Sequence, residues 1–186
     1  MDITETLYVP TREAWRDWLH AHHADRSEIW LVTYRKATGR PSVGYNDAVE
    51  EALCVGWIDS IRKGLDADRL AQRFTPRRPA SPFSQTNKER LARLLSRGQV
   101  LPSVAAGLPD VRPEAFEMPA DILDALRADP EAWRFFQSTA PSYQRIRAAY
   151  VDDKRAQPEE FGKRLRRLVE MSAQGKTYGY HIETYT

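Results

Sequence analysis

The sequence predicts an α+β fold: a small, mainly antiparallel sheet packed on helices, followed by a C-terminal helical subdomain. Three observations predict it. Strand-like stretches rich in β-branched or alternating residues fall at 28–36, 57–63 and 69–75, amphipathic helix stripes lie between and around them, and beyond residue 119 every pattern is helical and begins at a proline. The 186 residues are 41% hydrophobic and include six Phe, eight Tyr and five Trp, enough apolar material for one main core and incompatible with wholesale disorder.

Taken in order, a strand candidate near Leu7 precedes Thr11, which can cap a helix over 12–22 with Ala14, Trp15, Trp18, Leu19 and His22 at helical spacing. EIWLVTYRK then reads as a strand that ends at Gly39 and Pro41. A second helix over 45–55 carries Ala48, Val49, Ala52 and Leu53 on one stripe, with Gly56 where a helix-terminating glycine belongs. The strands 57–62 and 69–75 flank the turn-like KGLDAD as a hairpin, in which Arg73 and Thr75 share the face opposite Phe74. Ser84 or Thr86 starts a helix to Arg97 closed by Gly98, with Leu91, Leu94 and Leu95 as its apolar stripe. The expected organisation is an α+β domain over 1–98, a proline-rich linker over 99–119, a helical subdomain over 120–175 and an aromatic tail over 176–186. In the subdomain Pro119, Pro130, Pro141 and Pro158 each stand at a helix start.

Composition limits the function classes. Cys54 is the single cysteine, which excludes an intramolecular disulfide framework and a Cys-rich zinc site and fits a reducing compartment, so a cytoplasmic location is expected. No stretch approaches the apolar length of a membrane span. No HExxH, P-loop, GxGxxG or triad pattern is present, so neither a cofactor nor a metal is expected. The histidines of HAHH do not converge on one point of a helix and read as solubilising residues. Net charge is +2, but it alternates: residues 1–59 carry −4, 60–100 carry +7, 101–131 carry −5 and 132–176 carry +5. Solvated helix faces account for most such alternation. Only the second block is biased strongly enough to suggest an anion site.

That block contains GWIDSIRKGLDADRLAQRFTPRRPASPFSQTNK, which brings together an aromatic ring, a carboxylate, guanidiniums, hydroxyls and a lysine. Forked arginine donors suit carboxylate or phosphate, and free N–H groups at the following helix start add neutral donors. The structural alternative is that Asp59 pairs with Arg73 across the hairpin, Ser84 and Asn87 cap the helix, and Arg77 and Arg78 are solvated.

The strings EIWLVTYRKATGRPSVGYNDAVEEALCVGWIDS and QRFTPRRPASPFSQTNKERLARLLSRG, with AWRFFQSTAPSYQRIRAAYVDDKR further on, resemble the YdeI/OmpD-associated family, also labelled bacteriocin-protection proteins, over nearly the whole chain. Phe83 stands where that pattern carries Trp. The resemblance implies a stress- or bacteriocin-protection role with no established reaction. By position, its signature residues are Lys36, Tyr45, Trp57, Asp59, Arg73, Thr75, Arg77, Ser81, Ser84, Asn87 and Lys88. The leading expectation is therefore non-catalytic binding of a small anionic ligand in a cleft lined by these residues. One alternative is an enzyme using Asp59 as acid or base in the same cleft. The other is a nucleic-acid or protein interaction module using the basic helix faces at 90–97 and 163–167; a sequence pI near 8.7 and the lack of a recognition motif weigh against nucleic acid.

Overall fold

A computed structural model describes residues 2–79 and 81–179; of the expected tail, residues 180–186 lie outside the described residues. The chain is α+β and forms two compact units, one from residues 1–82 and 90–109, the other from 83–89 and 110–186.

The first unit holds a four-stranded mixed sheet. Strand β1 (Thr6–Tyr8) leads into helix α1 (Arg12–His22), whose N-cap Thr11 accepts the Ala14 N–H through its hydroxyl. Strand β2 (Ile29–Tyr34) is followed by helix α2 (Tyr45–Cys54), and β3 (Trp57–Gly64) turns back into β4 (Arg69–Pro76) as the expected hairpin. The strand order is β1-β2-β4-β3, with β1 parallel to β2 and the other pairs antiparallel. The candidate strand near Leu7 is thus the one parallel member.

Register decides what each strand shows to each side. Ile29 and Asp59 both pair with Phe74, Leu31 pairs with Gln72, and Trp57 pairs with Pro76, so these residues share one face. Helices α1 and α2 serve that face: the Trp15 ring lies 5.2 Å from that of Phe74, and the Trp15 indole donates to the Ala48 carbonyl at 3.0 Å. Trp30, Val32, Ala71, Arg73 and Thr75 occupy the other face. A bulge between Asp59 and Arg62 shifts the hairpin register partway along.

Helix α2 is buried on most of its surface, Glu50 and Glu51 included, although only its apolar stripe is expected to face inward. The two carboxylates are buried because arginines meet them. Arg12 of α1 reaches Asp47, Glu50 and Glu51, Arg16 grips Glu51 bidentately at 2.7 and 2.8 Å, and Arg93 joins Glu50. Arg93 belongs to helix α3 (Gln85–Ser96), which buries Leu91 and Leu94. The proline-rich stretch is ordered: it contains the short helix α4 (Pro102–Ala105), and the Leu101 N–H donates to the Cys54 carbonyl at 2.9 Å.

The second unit contains helices α5 (Ala120–Arg127), α6 (Pro130–Ser138), α7 (Pro141–Asp152) and α8 (Pro158–Ala173). Three of the four expected prolines are the first helical residue, whereas Pro119 sits one position earlier as the N-cap of α5. Ile122, Leu126, Phe136, Tyr143, Val151 and Leu168 centre its apolar core. Among the described residues no helix is long and apolar enough to cross a membrane.

Candidate functional site

The hairpin places Trp57 and Asp59 on the sheet face under α1 and α2. Trp57 is 1% exposed; its indole donates to the His23 carbonyl at 3.1 Å and its ring meets Trp18 edge-on. Asp59 accepts from the Tyr45 hydroxyl at 2.9 Å and from the Gln72 amide at 3.4 Å. Of the signature residues, Tyr45 and Asp59 are thereby bonded to each other, while Trp57, on the same face, is held by the His23 carbonyl and Trp18; all of these contacts are internal to the unit.

Arg73 and Thr75 lie on the opposite face. Because Asp59 pairs with Phe74, the Asp59–Arg73 pairing weighed from sequence does not form: it needs a register one residue away, and a one-residue slip moves a side chain through the sheet. Arg73 instead pairs with Glu28, its Nε donating at 2.7 Å. Hydrogen bonds from the Thr4 hydroxyl and from Arg73 hold the Glu28 carboxyl below its ordinary value. Just past β4, the Arg77 guanidinium donates to the carbonyls of Ser81 at 2.6 Å and Pro82 at 2.7 Å, while its own N–H binds the Gly56 carbonyl at 2.9 Å. Burial lowers the Arg77 pKa from that of a free guanidinium. Arg77 therefore organises the 77–82 loop and is not solvated, whereas Arg78 is exposed. Ser81 contributes main-chain groups to that loop.

Lys36 is far from all of these. It follows the C-terminal end of β2, beyond the Tyr34–Arg69 register pair, five register steps from the Ile29–Phe74 end where Asp59 sits. At about 3.3 Å per residue that separates the two ends by roughly 17 Å. Lys36 is exposed, next to a shallow depression lined by Tyr34, Thr38, Arg40, Asp66 and Arg69. The remaining three residues belong to the second unit. Ser84 caps α3, its carbonyl accepting from Asn87 and Lys88 at 3.0 Å each and its hydroxyl from Asn87 at 3.3 Å. Lys88 lines a small recess with Gln85, Asp110, Arg112 and Phe116. Arg145 holds Glu89 bidentately at 2.7 and 2.8 Å.

Other candidate chemistry is similarly engaged. Burial pushes the Cys54 thiol up to about 12, with neighbouring Glu51 acting in the same sense, so it is a protonated core residue at neutral pH. Among the described residues no group of three His, Cys, Asp or Glu side chains could hold a metal. The basic runs are partly neutralised as well: Arg93 by Glu50, Arg164 by Glu160 at 3.2 Å, with Arg90 hydrogen-bonded to Asn46 at 2.7 Å.

Two polar assemblies escape sequence inspection. The Arg12–Arg16–Glu50–Glu51–Arg93 network is one, because its members look like solvated charges until three helices are placed together. The other surrounds Arg147 on α7, 8% exposed and flanked by Tyr150 and Tyr178. Its one sequence signal is a charge set beside Ile146 on the Tyr143, Ile146, Tyr150 stripe.

Comparison with known proteins divides the chain in the middle. A family described as a domain of unknown function, DUF8412, matches residues 7–107, and one described as bacteriocin-protection, YdeI or OmpD-associated matches residues 115–175. The WIDS and RFTPRRP strings thus fall within the first match, and AWRFFQSTAPSYQRIRAAYVDDKR falls within the second. No curated protein and no solved structure matches the chain.

Proposed function

The chain belongs to the DUF8412 family and carries a bacteriocin-protection, YdeI- or OmpD-associated domain, and on that premise we propose that it protects by binding and not by turnover. The observation that carries this reading is the state of Asp59, the one acid–base candidate of the signature strings. It lies on the sheet face beneath α1 and α2, fixed by the Tyr45 hydroxyl and the Gln72 amide, where its role is to hold the hairpin to α2. Arg73 and Arg77 are committed to Glu28 and to the loop carbonyls, so the first unit serves as a scaffold stabilised by a polar network. A cytoplasmic site of action is part of the proposal and is supported by the lone, buried Cys54.

Survival of bacteriocin-challenged cells expressing the chain tests the reading. Wild type should raise survival, and Asp59→Asn, which keeps an oxygen acceptor for Tyr45 but cannot exchange a proton as a carboxylate does, should protect within about twofold of wild type. Absence of protection by wild type, or loss of protection in a soluble, folded Asp59→Asn protein, overturns it.

A further inference from the structure

A guanidinium buried without a counter-charge is costly, and among the described residues α7 holds one with no acidic partner. Arg147 is 8% exposed and its Nε is fully sheltered without a hydrogen-bond partner; among the described residues no acidic side chain stands within ion-pair distance of it. Among the described residues two rings stand close to it, with the Tyr150 centroid 5.2 Å and the Tyr178 centroid 5.3 Å from the guanidinium carbon. Two cation–π contacts recover only part of that cost. Desolvating an unpaired charge costs more than ring contacts return, so among the described residues the guanidinium is undercompensated. By contrast Arg164, whose guanidinium carbon lies 3.9 Å from the centroid of the Tyr150 ring, has Glu160 at 3.2 Å and the Tyr150 carbonyl at 2.7 Å.

Hydroxyls stand ready beside the charge. Tyr143 is one helical turn before Arg147 on the same face of α7. Its hydroxyl is buried and donates to no group among the described residues, while the Tyr178 main chain approaches its oxygen. The Tyr178 hydroxyl is likewise buried, with no hydrogen-bond partner among the described residues. Tyr178 reaches this position because α8 ends in a tight reversal: Gly175, at φ 65°, allows its own N–H to bind the Ser172 carbonyl and the Lys176 N–H to bind the Met171 carbonyl, both at 2.9 Å. Burial pushes the Tyr178 phenol up to about 12 and raises that of Tyr143, so both remain O–H donors at neutral pH.

We infer that Arg147, with the Tyr143 and Tyr178 hydroxyls, is the recognition centre for a small carboxylate. The fork of a guanidinium matches the two oxygens of a carboxylate, phenolic donors complete their hydrogen bonding, and tyrosine rings offer an apolar wall to the body of the acid. The flanking tyrosine rings suit the flat apolar body of an aromatic acid, which a fully hydrated phosphate lacks. The site lies in the second unit and is independent of whether protection involves turnover.

Calorimetric titration of the full chain with benzoate, at ionic strength matched with chloride, tests the assignment, with neutral benzamide and inorganic phosphate as comparisons. Benzoate should bind saturably and raise the melting temperature. Arg147→Met should weaken it about ten- to hundredfold, and Tyr178→Phe and Tyr143→Phe several-fold each. No saturable benzoate binding, equal binding by benzamide, tighter binding by phosphate, or unchanged affinity in Arg147→Met each overturns the proposal. Should Arg147→Met fail to fold, the two phenylalanine variants decide: each removes one hydroxyl only, and unchanged benzoate affinity in both overturns it.

Discussion

At Arg73 the direction of the side chain follows from strand register, and its partner follows from that direction. Paired across from Trp30, it emerges on the face where Glu28 waits, and both groups are largely sheltered there. Arg77 closes the adjoining loop by donating to two carbonyls. Neither contact requires a ligand, so removing both should be felt in stability. We expect Arg73→Ala with Arg77→Ala to cost about 2–4 kcal/mol, since charged groups lose hydrogen-bonded partners in partly buried places. For a chain of this size that lowers the melting temperature on the order of 10 °C. A double variant melting within a degree or two of wild type would show the pair to be free for another role. The sequence contains every residue of this arrangement and the alternation that sets Arg73 opposite Phe74. Pairing partners are not legible in it, because the bulge after Asp59 changes the register and period-2 patterning is blind to a one-residue slip.

Among the elements, helices and strands were legible wherever local chemistry dictates them: Thr11 caps α1, the apolar stripe locates α2, and prolines open α6, α7 and α8. The sharpest local device is the turn from α2 into β3. Gly56, at φ 78°, ends the helix by donating to the Leu53 carbonyl and immediately delivers Trp57 into the core. A Cβ at this position would stand 3.2 Å from Val104 Cγ2 of α4, so conformation and space both require glycine. Gly56→Ala should destabilise by about 2–3 kcal/mol, combining the left-handed penalty with local crowding. Gly64→Ala, where nothing lies within 4 Å of the added carbon, should be neutral or slightly stabilising when both variants are compared by urea titration. Equal effects at the two positions would remove the argument. The order of the 99–109 stretch was not legible, because its anchor is a main-chain bond from Leu101 to the end of α2 and leaves no periodic trace.

Across the molecule, the alternation of net charge along the chain turns out to describe partners within each unit. Glu28 and Glu50 from the acidic first block meet Arg73 and Arg93 from the basic second, while Asp121 meets Arg155 from the last. Sequence alone assigns such charges to solvated faces, since burial of Glu51 becomes visible only once α1 and α2 are packed and Arg12 and Arg16 converge on it. Burial by itself would raise the Glu51 carboxyl; hydrogen bonds from Arg16 and Arg12, with their charges, outweigh it and hold the group below its ordinary value of 4.5. A depressed folded-state value means that the unfolded chain takes up the proton first as pH falls. The stabilisation is therefore complete above about pH 4.5 and is lost as pH drops through the lower folded-state value. Denaturant midpoints should be level from neutrality to about pH 5 and decline below it. Glu51→Gln should lower stability by about 2–3 kcal/mol at pH 7, because two arginines lose a sheltered carboxylate partner, and this deficit should shrink at pH 3, where the unfolded wild-type chain has already taken up the proton. A deficit of the same size at both pH values would show that the charge of Glu51 contributes nothing and that shape alone holds α1 to α2.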